Sequence, residues 1–235
     1  MNNQEIQITA FDGGSFNAYV AKPTTDLAPG IIVIQEIFGV NEVMRDIAQE
    51  YARAGYLAIV PDLFWRQEPG ISLTDKSEEE WSKAFELYKG FSEDKGVDDL
   101  IATLNALKEL PGCNGKVGSV GFCLGGKLAY LMATRSNVEC NVSYYGVAIE
   151  NNLDEIPNIQ QPLMLHMAEE DQFVPVEAQN KIKTALSDHP LVTLHSYSKV
   201  NHAFARQGGE HYSKEAATLA NSRTLEFFRK ILLDV

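Results

Sequence analysis

The sequence of 235 residues has few cysteines, a deficit of basic charge and no long apolar run. Its three cysteines, Cys113, Cys123 and Cys140, are odd in number and form no C-x-x-C pair. That excludes a disulfide framework and a zinc ribbon, and free thiols point to a reducing compartment. Twenty Lys and Arg stand against 32 Asp and Glu, a formal net charge of −12. No cluster of five or more basic residues is present. The footprint that a phosphate backbone requires is therefore missing, and no nucleic-acid partner is expected. Apolar runs such as Ile31–Ile34 fall far below the roughly 20 residues needed to span a bilayer. The opening residues Met1-Asn2-Asn3-Gln4-Glu5 have neither the basic n-region nor the apolar h-region of a signal peptide. The expectation is a soluble cytoplasmic protein without a membrane partner.

What is present suits an ordinary globular chain. Hydrophobic residues make up 45% and charged residues 22%, and a chain of this length can bury a full core without metals or disulfides. Short β-type runs alternate with amphipathic stretches. Ile6–Thr9 and Phe16–Val20 flank Asp12-Gly13, a hairpin signal. Ile31–Ile34 and Leu57–Val60 read as strands buried on both faces. Between them Val43, Ile47, Ala48, Tyr51 and Ala54 fall on one helix face, and Gly55 stops it. Residues 66–96 form a more polar excursion with a short helix near Glu78–Lys89. A further helix carries Val97, Leu100, Ile101, Leu104 and Leu107. Strands follow at Lys116–Val120, Asn141–Tyr145, Pro162–Met167 and Leu191–Tyr197, with helices at Leu124–Thr134, Val176–Leu186 and Ser213–Leu232. This order predicts one α/β domain over residues 1–235, a mostly parallel twisted sheet with helices on both faces and an N-terminal antiparallel hairpin.

The chemistry concentrates at Gly121-Phe122-Cys123-Leu124-Gly125-Gly126. Here G-x-C-x-G directly follows an apolar strand and directly precedes a helix, the layout of a nucleophile elbow with Cys in place of Ser. Gly121 and Gly125 leave room for a tight turn, and the thiol projects at a helix N-terminus that favours anions. Taken alone, the motif also suits a small buried cysteine beside a Gly-rich turn. No P-loop signature competes with it, since G-x-x-x-x-G-K-[ST] is absent.

A thiol nucleophile needs a base, and the base an orienting acid. On this class of fold the chain order is nucleophile, acid, histidine, each in a loop after a strand. Asp171 follows the strand Pro162–Met167, with Glu169 and Glu170 as rivals. His202 follows the strand Leu191–Tyr197. His166 and His195 lie inside strands and suit hydrogen-bonded structural roles. His189 precedes Pro190 in a turn, and His211 sits in a polar loop.

Five separated segments now carry a resemblance. They are Gln35-Glu36-Ile37-Phe38-Gly39, Gly121–Gly126, Tyr144-Tyr145-Gly146, Asp171-Gln172-Phe173-Val174-Pro175 and His202-Ala203-Phe204-Ala205-Arg206. In this order they resemble the dienelactone hydrolase family of α/β-hydrolases over nearly the whole chain. The resemblance implies a lactone or ester hydrolase with a Cys123-Asp171-His202 triad and an acyl-thioester intermediate, typically opening an enol lactone to a keto acid such as maleylacetate. It implies that Glu36 assists formation of the Cys123 thiolate, since a carboxylate beside a resting thiol otherwise disfavours its ionisation. It places the oxyanion hole at the backbone of Ile37 and Leu124. It gives Arg206 the substrate carboxylate, by a bidentate pair. Phe38 and Tyr145 join the substrate-binding residues. No metal and no organic cofactor is implied, and the partner is a small lactone or ester, bound by a monomer or weak homodimer.

The sequence departs from the family at two positions. Chloroaromatic-pathway members carry an arginine and a tyrosine where this chain has Trp81 and Phe85. Four residues apart, these two share one helix face and read either as core packing or as an aromatic wall favouring apolar esters. Arg66 and Lys83 are the cations that could replace the missing arginine. Two readings compete with the lactonase: a broad carboxylesterase or thioesterase on the same fold, and a silent small-molecule binder.

Overall fold

The hairpin read from Asp12-Gly13 is the first element of the structure, a computed structural model that describes residues 3–233. Met1, Asn2, Asp234 and Val235 lie outside the described residues, and with them the start of the segment read for a signal peptide. β1 (Asn3–Thr9) and β2 (Ser15–Ala21) pair antiparallel, Ile6 opposite Ala18 and Ile8 opposite Phe16. Gly13 takes φ 92°, the left-handed backbone that the turn demands and glycine tolerates.

The chain gathers into two compact units that divide between Ser119 and Val120. In the first, β3 (Ala28–Ile34) and β4 (Leu57–Pro61) are parallel, and β4 also pairs antiparallel with β2. Every residue of β3 and β4 is buried, as their continuous apolar runs require. α1 (Glu42–Arg53) starts where the Asn41 side chain accepts the Met44 N–H at 3.1 Å. It packs on β2, β3 and β4. The polar excursion holds α2 (Glu78–Lys89), capped by Ser77. α3 (Glu93–Glu109) packs on β1, β3 and β4. β5 (Cys113–Phe122) then runs from the first unit into the second.

In the second unit β6 (Cys140–Tyr144), β7 (Leu163–Ala168) and β8 (Val192–Tyr197) are parallel neighbours. α4 (Leu124–Arg135), α5 (Val176–Leu186) and α6 (Lys214–Phe228) follow β5, β7 and β8 in the chain. The parallel register sets Tyr144, His166 and His195 side by side. His166 bonds to the Tyr197 hydroxyl (2.8 Å) and to Thr224 of α6 (2.9 Å). Burial, with the nearby His195 and Arg223, pushes its pKa well below the ordinary histidine value. His166 is thus a neutral structural group, as its place in a strand suggests. Among the described residues no helix is long and apolar enough to cross a membrane.

One segment had no sequence signal. Ile149–Asn158 forms 3-10 turns that pack on α4 and α5. Glu155 ties it down, accepting from Arg135 (2.6 and 2.8 Å), Thr134 (2.8 Å) and Asn152 (3.0 Å). Chiefly through the Arg135 bond, its pKa falls to about 2. A carboxylate lowered on folding contributes stability above its unfolded pKa and loses it as pH falls through the folded value. Glu155→Gln should therefore lower the melting temperature by several degrees at pH 7, about 1–3 kcal/mol. Melts across pH 2–7 check this, because the deficit should shrink steadily toward pH 2.

Candidate active site

The elbow read from the sequence is built as its glycines require. β5 ends at Phe122, and α4 begins at Leu124 with Cys123 as its N-cap residue. Cys123 holds φ 55° and ψ −115°, a strained conformation for a residue with a Cβ. A side chain at Gly121 would collide with the Gly125 carbonyl, so only glycine lets the strand and helix backbones meet there. At Gly126 a Cβ would sit 2.6 Å from the Tyr144 carbonyl, so this glycine brings α4 against the end of β6. The Cys123 N–H donates to that same carbonyl at 3.1 Å. Leu124 is the first residue of α4, so its amide is among those a helix leaves without an intrahelical acceptor.

The loops after β7 and β8 bring Asp171 and His202 together. His202 Nδ1 lies 2.9 and 3.0 Å from the two Asp171 carboxylate oxygens, with both side chains buried. Asp171 Oδ1 also accepts the N–H groups of Phe173 (2.9 Å) and Val174 (3.1 Å), which fixes the carboxylate plane. Glu169 and Glu170, the rival acids, are exposed. The imidazole is packed edge-to-face by Tyr145 (5.0 Å) and Phe173 (4.9 Å). Its Nε2 is buried and has no partner of good hydrogen-bond geometry, while Cys123 lies within electrostatic reach. Burial pulls the His202 pKa down, but its interactions with Cys123 and Asp171 more than offset this and raise it to about 10. Cys140 lies buried in β6, where desolvation pushes its thiol up and leaves it unreactive.

Arg206 is only 7% exposed, so it is not a surface arginine. A guanidinium at that depth requires anionic or carbonyl partners. Its segment leaves His202 through a turn in which the Arg206 N–H donates to Ala203 O at 2.9 Å.

The first unit holds the other predicted residues. Glu36, Ile37 and Phe38 follow β3 and are buried, Glu36 to 1% exposure. A solvated loop carboxylate is therefore not what Glu36 is. Gln35 anchors this loop by accepting the Leu63 N–H at 3.0 Å. Backbone bonds Val40 N to Ile71 O (3.1 Å) and Leu73 N to Phe38 O (2.9 Å) clamp it to the excursion. Phe38 meets Trp81 edge-on at 4.9 Å, and Trp81 stacks on Phe85 at 5.5 Å. Phe85 is exposed and Trp81 half-buried, so the pair is not plain core packing. Arg66, one of the two cations weighed for the missing arginine, is bonded to buried Asp99 at 2.8 Å and to Asp12. Lys83 is paired with Glu68 at 2.7 Å. Sequence reasoning missed Asp99, Phe173 as a neighbour of the imidazole, and Asn201, whose only local signal was adjacency to His202. Among the described residues no cluster of three or more His, Cys, Asp and Glu is placed to hold a metal.

Comparison with known proteins identifies the family of the chain. The model of the dienelactone hydrolase family matches residues 16–232. A relative from Azospirillum brasilense is 48% identical over 97% of this chain and 99% of its own. A carboxymethylenebutenolidase from Pseudomonas putida is 40% identical over 97% of this chain and 96% of its own. A crystal structure from Klebsiella pneumoniae superposes with a TM-score of 0.84 at 25% identity, covering 98% of this chain and all of that one. The chain belongs to the dienelactone hydrolase family, and it is a hydrolase of ester or lactone bonds on the α/β-hydrolase fold.

Proposed function

We propose that this hydrolase opens enol lactones and other activated esters by a Cys123–His202–Asp171 triad through an acyl-thioester. The buried Asp171–His202 pair, electrostatically coupled to a thiol on a strained elbow, is the observation that carries this reading. In the first step His202 takes the proton of Cys123, so that thiolate and imidazolium form together. The thiolate sulfur attacks the carbonyl carbon, and the oxyanion is held by the amides of Leu124 and Ile37. Collapse expels the enol or alcohol, which takes its proton from His202. His202 then deprotonates a water that hydrolyses the thioester and frees Cys123. Glu36 assists thiolate formation, as the family resemblance implies. Arg206 takes the substrate carboxylate, a role that its burial near the end of the histidine loop supports. The name of the Pseudomonas putida relative supports a lactone as substrate.

Trp81 and Phe85 favour a second substrate group, aryl esters, because stacked aromatic faces replace two polar contacts of the family. A thiolate is a good leaving group as well as a good nucleophile, so the intermediate partitions forward only when the other leaving group is better. Enol lactones and aryl esters should therefore exceed a matched alkyl ester in kcat/KM by about 10²-fold or more, close to 3 kcal/mol. Rapid quench and peptide mass spectrometry should find the acyl group on Cys123. Equal turnover of the alkyl ester, or an acyl adduct elsewhere, would overturn the proposal.

A further inference from the structure

We infer that Asn201 is a positioning residue, whose side-chain oxygen locks the acid loop to the base and so sets the His202 imidazole against Asp171. The inference rests on the triad reading above and adds a residue to it. Asn201 Oδ1 accepts two backbone N–H groups, that of Gln172 at 3.0 Å and that of His202 at 2.6 Å. One atom therefore joins the residue after the acid to the base itself. Asp171 Oδ1 is already fixed to its own turn by the Phe173 and Val174 amides. The Asn201 bonds turn that local order into a fixed spacing between carboxylate and imidazole.

The surrounding backbone shows why such a tie is needed. Lys199 and Ala203, on either side of the pair, hold φ 59° and 61°. A left-handed backbone is strained for a non-glycine residue, and the conformation persists only when neighbouring contacts enforce it. Backbone bonds Glu169 N to Tyr197 O (3.0 Å) and Glu170 N to Val200 O (3.1 Å) extend the β7–β8 pairing toward the site. They stop before Asp171 and His202, where the side chain of Asn201 takes over. Asparagine offers this oxygen without charge. A carboxylate there would accept the same bonds but add a second anion beside the imidazolium.

Asn201→Leu and Asn201→Asp test this with opposite signatures. The groups facing the imidazole are Cys123 and Asp171, with the rings of Tyr145 and Phe173. Leu keeps the size and removes the acceptor. It should lower kcat by about 10- to 100-fold with KM little changed, since an ångström of misplacement has that effect. Its alkaline limb should move to lower pH as the Asp171 contact loosens. Asp keeps the acceptor and should recover most of that kcat, with the alkaline limb moved to higher pH. A purely structural role would alter melting temperature and leave both limbs in place. An Asn201→Leu enzyme with kcat and alkaline limb like wild type overturns the inference. If that variant does not fold, an unmoved limb in Asn201→Asp overturns it instead. Cys123→Ala, assayed alongside, separates the two ideas. With that variant inactive, a failure at Asn201 removes only the tie; with it active, the triad reading itself falls.

Discussion

Cys123→Ala is expected to abolish turnover of an aryl ester, a loss of at least about 10⁴-fold, with a melting temperature close to wild type. The size follows from the loss of covalent catalysis, because members of a triad act as a unit. What remains is whatever the oxyanion amides and binding supply to attack by water. Stability should hold because alanine keeps the Cβ, so the strain at φ 55° is neither relieved nor increased. The turn itself is specified by Gly121 and Gly126, which this change leaves alone. Stopped-flow assay and thermal denaturation on the same preparation check both halves. Retained turnover would place the nucleophile elsewhere.

The second large effect is expected from Asp171→Asn, about 10²- to 10⁴-fold in kcat, the usual weight of general acid–base catalysis. The hydrogen bonds of the carboxylate explain why so small a change acts strongly. Oδ1 accepts the amides of Phe173 and Val174, so the carbonyl of an asparagine must take that position to keep them satisfied. Its NH2 group then occupies the place of Oδ2, 2.9 Å from His202 Nδ1. An amide donor there drives the imidazole proton to Nε2, the nitrogen that must receive the proton of Cys123. The variant also loses the charge and hydrogen bond by which Asp171 raises the His202 pKa, so its alkaline limb should shift to lower pH. Folding should survive, because both backbone amides remain bonded. A full pH–rate profile tests the point, and more than a tenth of wild-type kcat would contradict it.

How far the sequence was legible follows from the range of the interactions involved. The elbow at Gly121–Gly126 is local: strand, turn and helix are contiguous, and their steric demands appear as glycines at short spacing. The strands Ala28–Ile34 and Leu57–Pro61 are legible because a strand buried on both faces must be apolar throughout. Asp99 is the opposite case. It reads as one of five acids on α3, yet it is buried and bonded to Trp65 Nε1 (2.8 Å) and Arg66, more than 30 residues away. Asn201 likewise owes its role to a partner 29 residues earlier.

The sequence by itself determined the alternation of strands and helices, the turn that presents Cys123, and the chain order of thiol, carboxylate and imidazole. These depend on periodicity, glycine geometry and loop position, all of which are short-range. Only the tertiary structure decided that His166 is held by Tyr197 and Thr224, and that Arg66 is bound to Asp99. It also decided that Glu36 and Arg206 are buried. Those outcomes depend on what surrounds each charge, and desolvation and pairing belong to contacts between segments far apart in the chain.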